Sequence, residues 1–187
     1  MSLRIALLGL LTASGPSSGY DLAKKFETSV AHVWQAGHSQ IYPELAKMSA
    51  DGLVAVEAEG ARGRKIYRVT PDGDAELRRW LLAHDPSTTV RSETALQSFL
   101  VPLLEPGEAL TVMRRLKDRG EAHLSELEAL RVRKDAVMDP AHRWGMFGAY
   151  ALDLGLRQAR CFVEWADDSI ADIERRAGAG QGAPDPT

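Results

Sequence analysis

Apolar and polar positions in the first half of the chain recur with the periods of short helices. Residues 3–11 are nearly all apolar and poor in β-branched side chains, which favours a buried helix. The glycine- and serine-rich residues 13–19 predict a turn. Leu22 and Phe26 then recur at helical spacing within residues 20–27, which predicts a second helix.

A third helix is predicted to begin at Ser39, because a serine hydroxyl can cap free backbone N–H groups and Pro43 would then lie in the first turn. Asp51-Gly52 predicts its end, since glycine readily takes the left-handed conformation that ends helices. The apolar positions share one stripe, which predicts burial: Ile41, Leu45 and Met48. The other faces carry Gln40, Tyr42, Glu44 and Lys47. Three short helices in this order predict a helix-turn-helix.

The residues after the third helix have the pattern of a β-hairpin. Val54 and Val56 alternate with smaller or charged residues, residues 66–70 are rich in strand formers, and the glycine-containing stretch 57–65 lies between them. A hairpin in this place is a wing. Its tip is expected to present Arg62, Arg64 and Lys65 on flexible backbone, where they could reach phosphates or a minor groove. An ordinary solvated loop is the alternative.

Thr70 and Pro71 mark the start of a further helix over residues 72–83, with Thr70 as its cap. The polar, proline-containing stretch that follows has the composition of a linker. We therefore predict a winged helix-turn-helix domain over residues 1–83 and a linker over residues 84–91.

The second half is predicted to be a helical dimerisation domain over residues 92–177. Apolar residues recur every three or four positions in residues 92–104 and 107–134, and Gly120 would allow a close helix–helix approach. A last helix, from about Trp144 to Arg176, has two apolar stripes and therefore needs more than one helical neighbour. One stripe holds Phe147, Tyr150, Leu154, Cys161 and Trp165, and the other holds Leu152, Leu156, Ala159, Val163 and Ile170. The Gly-, Ala- and Pro-rich tail 178–187 is expected to be disordered.

Charge is distributed unevenly, although the net charge is only -3. Residues 1–83 contain ten Lys and Arg against nine Asp and Glu, whereas residues 84–187 contain thirteen against seventeen. The first half is therefore the candidate for contact with phosphates. The single cysteine, Cys161, excludes an intrachain disulfide framework and lies among apolar neighbours, which predicts a buried thiol.

Several classes of protein are disfavoured by the sequence. The longest apolar run, residues 5–11, is too short to span a bilayer and has no signal-peptide pattern, so we expect a cytoplasmic protein. His84, His123 and His142 are isolated and lack metal-ligand spacing. No nucleophile elbow, P-loop or dinucleotide fingerprint is present, so we predict no enzyme activity, no metal and no cofactor.

Several motifs of the first half resemble those of a known family. The segments GYDLAKKFE, Ser-x-Ile-Tyr-Pro, DGLV, IYRVT and TPDG are similar to those of PadR transcriptional regulators over residues 3–82. The resemblance implies a homodimeric repressor that binds a palindromic operator in double-stranded DNA and releases it when a small aromatic or apolar effector binds. The second half resembles the longer, Vir-type C-terminal domain of part of that family.

Two sets of candidate site residues follow. Predicted DNA contacts are His38, Ser39, Gln40, Tyr42, Pro43, Lys47, Arg62, Arg64 and Lys65. Tyr42 could instead pack against the second helix. Predicted effector contacts are Trp34, Trp144, Phe147, Tyr150 and Trp165, and for each of them burial in the core is the alternative that aromatic residues more often adopt. The rival function is a winged-helix module for protein–protein interaction, which would not need basic residues gathered around the third helix and the wing.

Overall fold

The computed structural model describes residues 2–29, 37–60, 63–86, 91–136 and 146–180. These residues form two compact units. The N-terminal unit contains the elements up to residue 86 together with residues 146–149, and the C-terminal unit contains residues 91–136 and 150–180. Among the described residues, no helix has both the length and the apolar composition needed to cross a bilayer.

The N-terminal unit combines helices with a small antiparallel sheet. Its elements are α1 (Ser2–Ser14), β1 (Ser17–Ser18), α2 (Gly19–Ser29), α3 (His38–Ala50), β2 (Val54–Gly60), β3 (Arg64–Val69) and α4 (Pro71–Ala83). The strands lie in the order β1-β3-β2, and Val54 pairs with Val69 across the hairpin. The predicted fold class, mainly helical with a small β-wing, is confirmed. The predicted turn before α2 also contains the short strand β1, where Ser17 pairs with Tyr67.

Apolar side chains from α1, α2 and α3 form the core of this unit. The predicted stripe of α3 is confirmed, because Ile41, Leu45 and Met48 are at most 1% exposed. They pack in one cluster with Leu7, Leu8, Leu22 and Phe26. Burying one such side chain contributes about 1.5–3 kcal/mol, so the cluster determines which face of α3 points outward.

The start of α4 is held close to the turn after α3. The predicted cap is confirmed, since the Thr70 hydroxyl accepts a hydrogen bond from the Gly73 N–H at 3.1 Å. The Thr70 N–H donates to the Leu53 carbonyl oxygen at 3.1 Å. A Cβ atom at Gly73 would overlap that same carbonyl group. Position 73 therefore requires glycine for steric reasons.

The C-terminal unit is built around an antiparallel helix pair. Its elements are α5 (Glu93–Leu100), a 3-10 turn (Val101–Leu103), α6 (Pro106–Asp135) and α7 (Ala149–Gly180). Ion pairs join Arg114 to Glu174 at 2.9 Å and Arg131 to Asp153 at 3.5 Å, which is the order expected for antiparallel helices. The close approach predicted at Gly120 is confirmed, because a Cβ atom there would lie 2.7 Å from the Phe162 ring.

Both ends of α7 differ from the prediction. The helix begins at Ala149 and not at Trp144, because Gly148 has a φ of +74°, which interrupts a right-handed helix. Phe147 instead packs in the N-terminal unit, with its ring 3.7 Å from a Cβ built at Gly9. Residues 178–180 are helical although disorder was expected there, since extending an established helix costs little per residue. The tail beyond residue 180 and Trp144 lie outside the described residues.

The two predicted stripes of α7 have different environments. Leu152, Leu156 and Ala159 are buried with Leu127 of α6. The other stripe is exposed, at 81% for Tyr150, 57% for Leu154 and 37% for Trp165. The predicted burial of Cys161 is wrong, because the residue is exposed. The next residue, Phe162, faces Gly120 of α6. Consecutive side chains on a helix point about 100° apart, so Cys161 points away from that contact.

We expect Gly73→Ala to lower the free energy of unfolding by roughly 2–3 kcal/mol, because the methyl group cannot be placed without moving the Leu53 backbone. The matched control is Gly107→Ala, in the first turn of α6, where an added Cβ meets nothing within 4 Å. That change should leave stability unchanged or raise it by up to about 1 kcal/mol. Urea unfolding followed by circular dichroism measures both, and equal effects of the two changes would contradict the steric argument.

Candidate nucleic-acid interface

The N-terminus of α3 lies one residue earlier than the sequence indicated. Gly37 is the N-cap, with φ -86° and ψ 162°, so the prediction of Ser39 as the cap is wrong. The Gln40 side-chain oxygen accepts a hydrogen bond from the Gly37 N–H at 3.4 Å, which contributes to the cap without a serine. Pro43 is consequently the sixth helical residue and lies in the second turn, not the first. Because proline lacks an N–H, the Ser39 carbonyl loses its usual helical donor.

Most predicted DNA contacts on α3 are exposed. The exposed side chains are Ser39, Gln40, Tyr42, Pro43 and Lys47. His38 is the first helical residue, but its side chain lies outside the described part of the chain, as does Arg62. The stripe formed by Ile41, Leu45 and Met48 points the opposite way, into the core. The helix therefore shows solvent a polar face with one lysine.

The acidic groups of α3 and its C-cap are neutralised by a single arginine of α1. Arg4 donates from Nε to Glu44 at 2.8 Å and from Nη1 to the C-cap Asp51 at 2.7 Å. The hydrogen bond to Glu44 is the main cause that raises the pKa of Arg4 above its ordinary value. These bonds fix both halves of α3 to α1. Because Glu44 and Asp51 are paired, the positive charge of the exposed Lys47 is not offset by them.

The ring of Tyr42 lies over the first residue of α2. A Cβ atom built at Gly19 would be 2.6 Å from Tyr42 Cε1, so a glycine is needed for this contact. The tyrosine nevertheless remains 48% exposed. The two roles considered for Tyr42 are thus compatible, since one side of the ring packs against α2 and the rest faces solvent.

The first turn of α2 is closed by a reciprocal capping box that the sequence analysis missed. The Asp21 N–H donates to Ser18 Oγ at 3.2 Å, while the Ser18 N–H and hydroxyl donate to Asp21 Oδ2 at 3.3 and 2.6 Å. The hydrogen bonds from Ser18 are the main cause that holds the pKa of the Asp21 carboxyl below its usual range, and a hydrogen bond from Arg64 is the second cause. The signal was present, because Ser-x-x-Asp before an apolar run has the spacing of such a box.

Arg64 does not lie free at the hairpin tip, as had been expected. It is the first residue of β3, opposite Gly60, and its Nη2 donates to Asp21 Oδ2 at 2.6 Å. Its side chain is still 56% exposed. Lys65 follows it and is exposed. The strand places these cations beside α2, so the hairpin is anchored to the helix-turn-helix.

These contacts join three elements into one surface. Tyr42 of α3 lies over Gly19, and Arg64 of the wing bonds Asp21 two residues further along α2. We use the term α3–wing surface for the exposed N-terminal half of α3, the first turn of α2, Arg64 and Lys65. The described residues contain no group of three or more side chains able to hold a metal ion.

Of the five predicted effector residues, two can be compared within one unit of the structure, Tyr150 and Trp165. Phe147 belongs to the N-terminal unit, and Trp34 and Trp144 lie outside the described residues. Tyr150 and Trp165 are both on α7 but are separated by roughly 22 Å at 1.5 Å per residue. Of these aromatic residues, Trp165 lines an open groove of about 560 Å³ in the C-terminal unit. The groove residues Phe99, Met113 and Ile173 are not among the effector contacts predicted from the sequence.

Nearly the whole chain matches known protein families and a known relative. Residues 7–79 match the model of the transcriptional regulator PadR-like family, and residues 90–174 match that of the virulence activator alpha C-terminal domain. The chain is 32% identical over 179 residues to the negative transcriptional regulator PadR of Bacillus subtilis, covering 92% of this chain and 98% of the relative.

Solved structures of that relative show the same fold. The crystal structure of Bacillus subtilis PadR in complex with operator DNA aligns with a TM-score of 0.78 at 31% identity, covering 92% of this chain and 99% of the other. The complex of the same protein with p-coumaric acid aligns with a TM-score of 0.80 at 32% identity, covering 93% and 99%. The identity and the coverage together show that this chain belongs to the PadR family of transcriptional regulators.

Proposed function

We propose that the protein is a sequence-specific DNA-binding repressor that acts in the cytoplasm as a homodimer and has no enzyme activity of its own. The observation that carries the proposal is the α3–wing surface, in which an exposed polar helix end and the arginine of a β-wing meet at the first turn of α2. Helix-turn-helix proteins read DNA with this part of the second helix of the motif. The operator complex of the Bacillus subtilis relative supports the same role.

In this mechanism the N-terminal half of α3 enters the major groove. Ser39, Gln40 and Tyr42 meet base edges or phosphates, and a glutamine amide is suited to adenine N6 and N7. His38 and Lys47 flank them. The 3.4 Å bond from Gly37 to Gln40 is long, so the amide can exchange it for a base. Arg64 and Lys65, together with Arg62, bind the phosphate backbone or the adjacent minor groove, where arginine gains from the negative potential.

A second copy of the chain accounts for the exposed apolar residues of the C-terminal unit. Tyr150 and Leu154 form an exposed apolar stripe on α7, and Phe99 and Leu103 near the end of α5 are at least 80% exposed. Association through such residues gives a two-fold dimer. The dimer would place two α3 helices in successive major grooves, about 34 Å apart, which matches a palindromic operator.

The groove at Trp165 is our candidate site for a small aromatic or apolar effector. Phe99, Met113, Ile173 and Trp165 give it an apolar lining, and Asp168 contributes a polar edge. Tyr150 lies too far along α7 to share this site, so any role of Tyr150 belongs to the dimer interface. The effector would weaken DNA binding by preferring a conformation that does not fit the operator.

The proposed function is tested by fluorescence anisotropy with the duplex upstream of the protein's own gene and an unrelated duplex, at low and moderate salt. We expect tight binding that prefers the upstream duplex and weakens steeply with salt. Failure to bind any duplex drawn from the neighbouring genes would contradict the proposal and would favour the winged-helix interaction module.

Removing single side chains of the α3–wing surface should separate affinity from specificity. Lys65→Ala is expected to weaken binding to all duplexes and to reduce the salt slope by about one unit, because one phosphate contact is lost. Gln40→Ala should relax the preference at one base pair by about 1–3 kcal/mol and leave the slope unchanged. Arg133 is exposed on α6, and Arg133→Ala is the control, which should change neither the salt slope nor the base-pair preference. A salt slope that responds to Arg133 but not to Lys65 would contradict the assignment.

Gly19→Ala should weaken operator binding by displacing the Tyr42 ring, since the new methyl group would lie 2.6 Å from Cε1. In a Tyr42→Ala background the same change should have no further effect, because the methyl group then has room. Anisotropy measures binding by the four proteins, and thermal unfolding verifies that each is folded. Additive losses from the two substitutions would show that the contact does not position Tyr42 for DNA.

Small phenols and phenolic acids should quench tryptophan fluorescence and raise the dissociation constant for the operator. We expect Trp165→Leu to lose both responses while it retains operator binding without the compound, because Trp165 lines the groove and not the α3–wing surface. Fluorescence titration and anisotropy on the same samples test this. A compound that binds with no change in operator affinity would contradict the coupling between the sites.

A further inference from the structure

Asp21 holds a central position in the α3–wing surface, although acidic side chains are normally unfavourable next to DNA. It lies in the first turn of α2, two residues after the glycine beneath Tyr42. Its carboxylate oxygen Oδ2 accepts hydrogen bonds from the Ser18 hydroxyl and from Arg64 Nη2, both at 2.6 Å. A residue selected only to cap a helix would not need the second bond.

The carboxylate is itself fixed before it meets the arginine. Ser18 donates to it twice and accepts from its N–H, so the Asp21 side chain has one defined orientation. Ser18 is the second residue of β1 and pairs with Ile66 of β3. The wing strand and the helix cap are therefore tied together at both the backbone and the side-chain level.

The arginine is held at one end only. Nη2 bonds to Asp21, whereas Nε and Nη1 have no hydrogen-bond acceptor among the described residues. A guanidinium group has five N–H donors in a rigid plane, so a group held through one N–H of Nη2 keeps four others and can still present a pair of them to a phosphate. The 56% exposure of the Arg64 side chain is consistent with such a presentation.

We propose that Asp21 is a positioning residue for DNA binding, which orients the Arg64 guanidinium toward a backbone phosphate. This inference rests on the proposed function. A free arginine side chain loses about 2 kcal/mol of rotamer entropy when it is fixed, and an arginine that is already oriented loses less of it on binding DNA. The pair also neutralises the carboxylate, so the acidic charge costs little near the phosphates.

The two possible roles of Asp21 predict opposite changes in DNA affinity when Asp21 is replaced by asparagine. If it only repels DNA, or holds Arg64 away from the phosphates, Asp21→Asn strengthens binding. If it positions Arg64, the same change weakens binding even though it removes a negative charge. Asparagine still accepts a hydrogen bond from Ser18, so the cap of α2 is retained, whereas its uncharged oxygen holds a guanidinium group more weakly than a carboxylate does.

The experiment is a double-mutant cycle with Asp21→Asn and Arg64→Ala in the full chain, measured by anisotropy on the preferred duplex over a range of salt. We expect Asp21→Asn alone to weaken binding roughly twofold to fivefold, as for the loss of an exposed ion pair, and to reduce the salt slope in the same direction as Arg64→Ala. In the Arg64→Ala background it should have no effect or strengthen binding slightly. Glu57→Gln is the matched control, because it removes an exposed carboxylate of the same hairpin that has no ion-pair partner among the described residues.

Stronger binding by Asp21→Asn in both backgrounds would overturn the proposal, as would an Arg64→Ala protein with unchanged affinity and salt slope. Either result leaves DNA binding by the unmodified chain intact, although the second would also remove Arg64 from the phosphate contacts proposed above. Absence of binding by the unmodified chain would instead contradict the proposed function and this inference with it. Unchanged thermal midpoints of the variants show that a loss of affinity is not a loss of folded protein.

Discussion

The burial of one stripe of α3 is the constraint on which the interface depends. Ile41, Leu45 and Met48 are almost completely removed from solvent in a cluster formed with α1 and α2. Rotating α3 by one residue would expose part of that stripe and bury polar groups, which costs several kcal/mol. The exposed face, with Ser39, Gln40 and the ring edge of Tyr42, is therefore set by core packing and not by any contact on the outside.

The first turn of α2 determines where the remaining parts lie relative to that face. Gly19 leaves space for the Tyr42 ring, and the Ser18–Asp21 capping box provides a fixed carboxylate for Arg64. The side chains proposed to read bases and those proposed to hold the backbone thus meet at a single turn. This arrangement explains why substitutions of a glycine or of an acidic residue, neither of which binds DNA in the proposed mechanism, can change affinity.

Much of the fold was predictable because its signals are local and periodic. The stripe of α3, the Thr70 cap, the hairpin and the close approach at Gly120 all follow from spacing in the sequence. The cap of α3 was missed because Gly37 has no side chain to recognise and Gln40 substitutes for it. The start of α7 depends on the positive φ of Gly148, which the apolar stripes do not report.

The candidate site was less predictable, since its contacts join residues distant in the sequence. The 2.6 Å bond between Arg64 and Asp21 crosses 43 positions, and the pattern of the wing alone suggested a free basic tip. Two residues of the predicted aromatic pocket, Tyr150 and Trp165, also lie apart along one helix. Tryptophan and tyrosine on one helix stripe indicate burial or an interface, but helix rise along α7 separates Tyr150 from Trp165.

The central claim, that the exposed face of α3 reads DNA, is tested most directly by photo-crosslinking. Ala46 is exposed on α3 and has no proposed contact of its own, so a photoreactive residue there should not disturb binding. Val132, which is 70% exposed on α6, is the control position. We predict crosslinks from position 46 to bases in two major grooves about one helical turn apart, and none from position 132. Crosslinks from position 132 alone, or none from position 46 on DNA that the protein binds, would contradict the account.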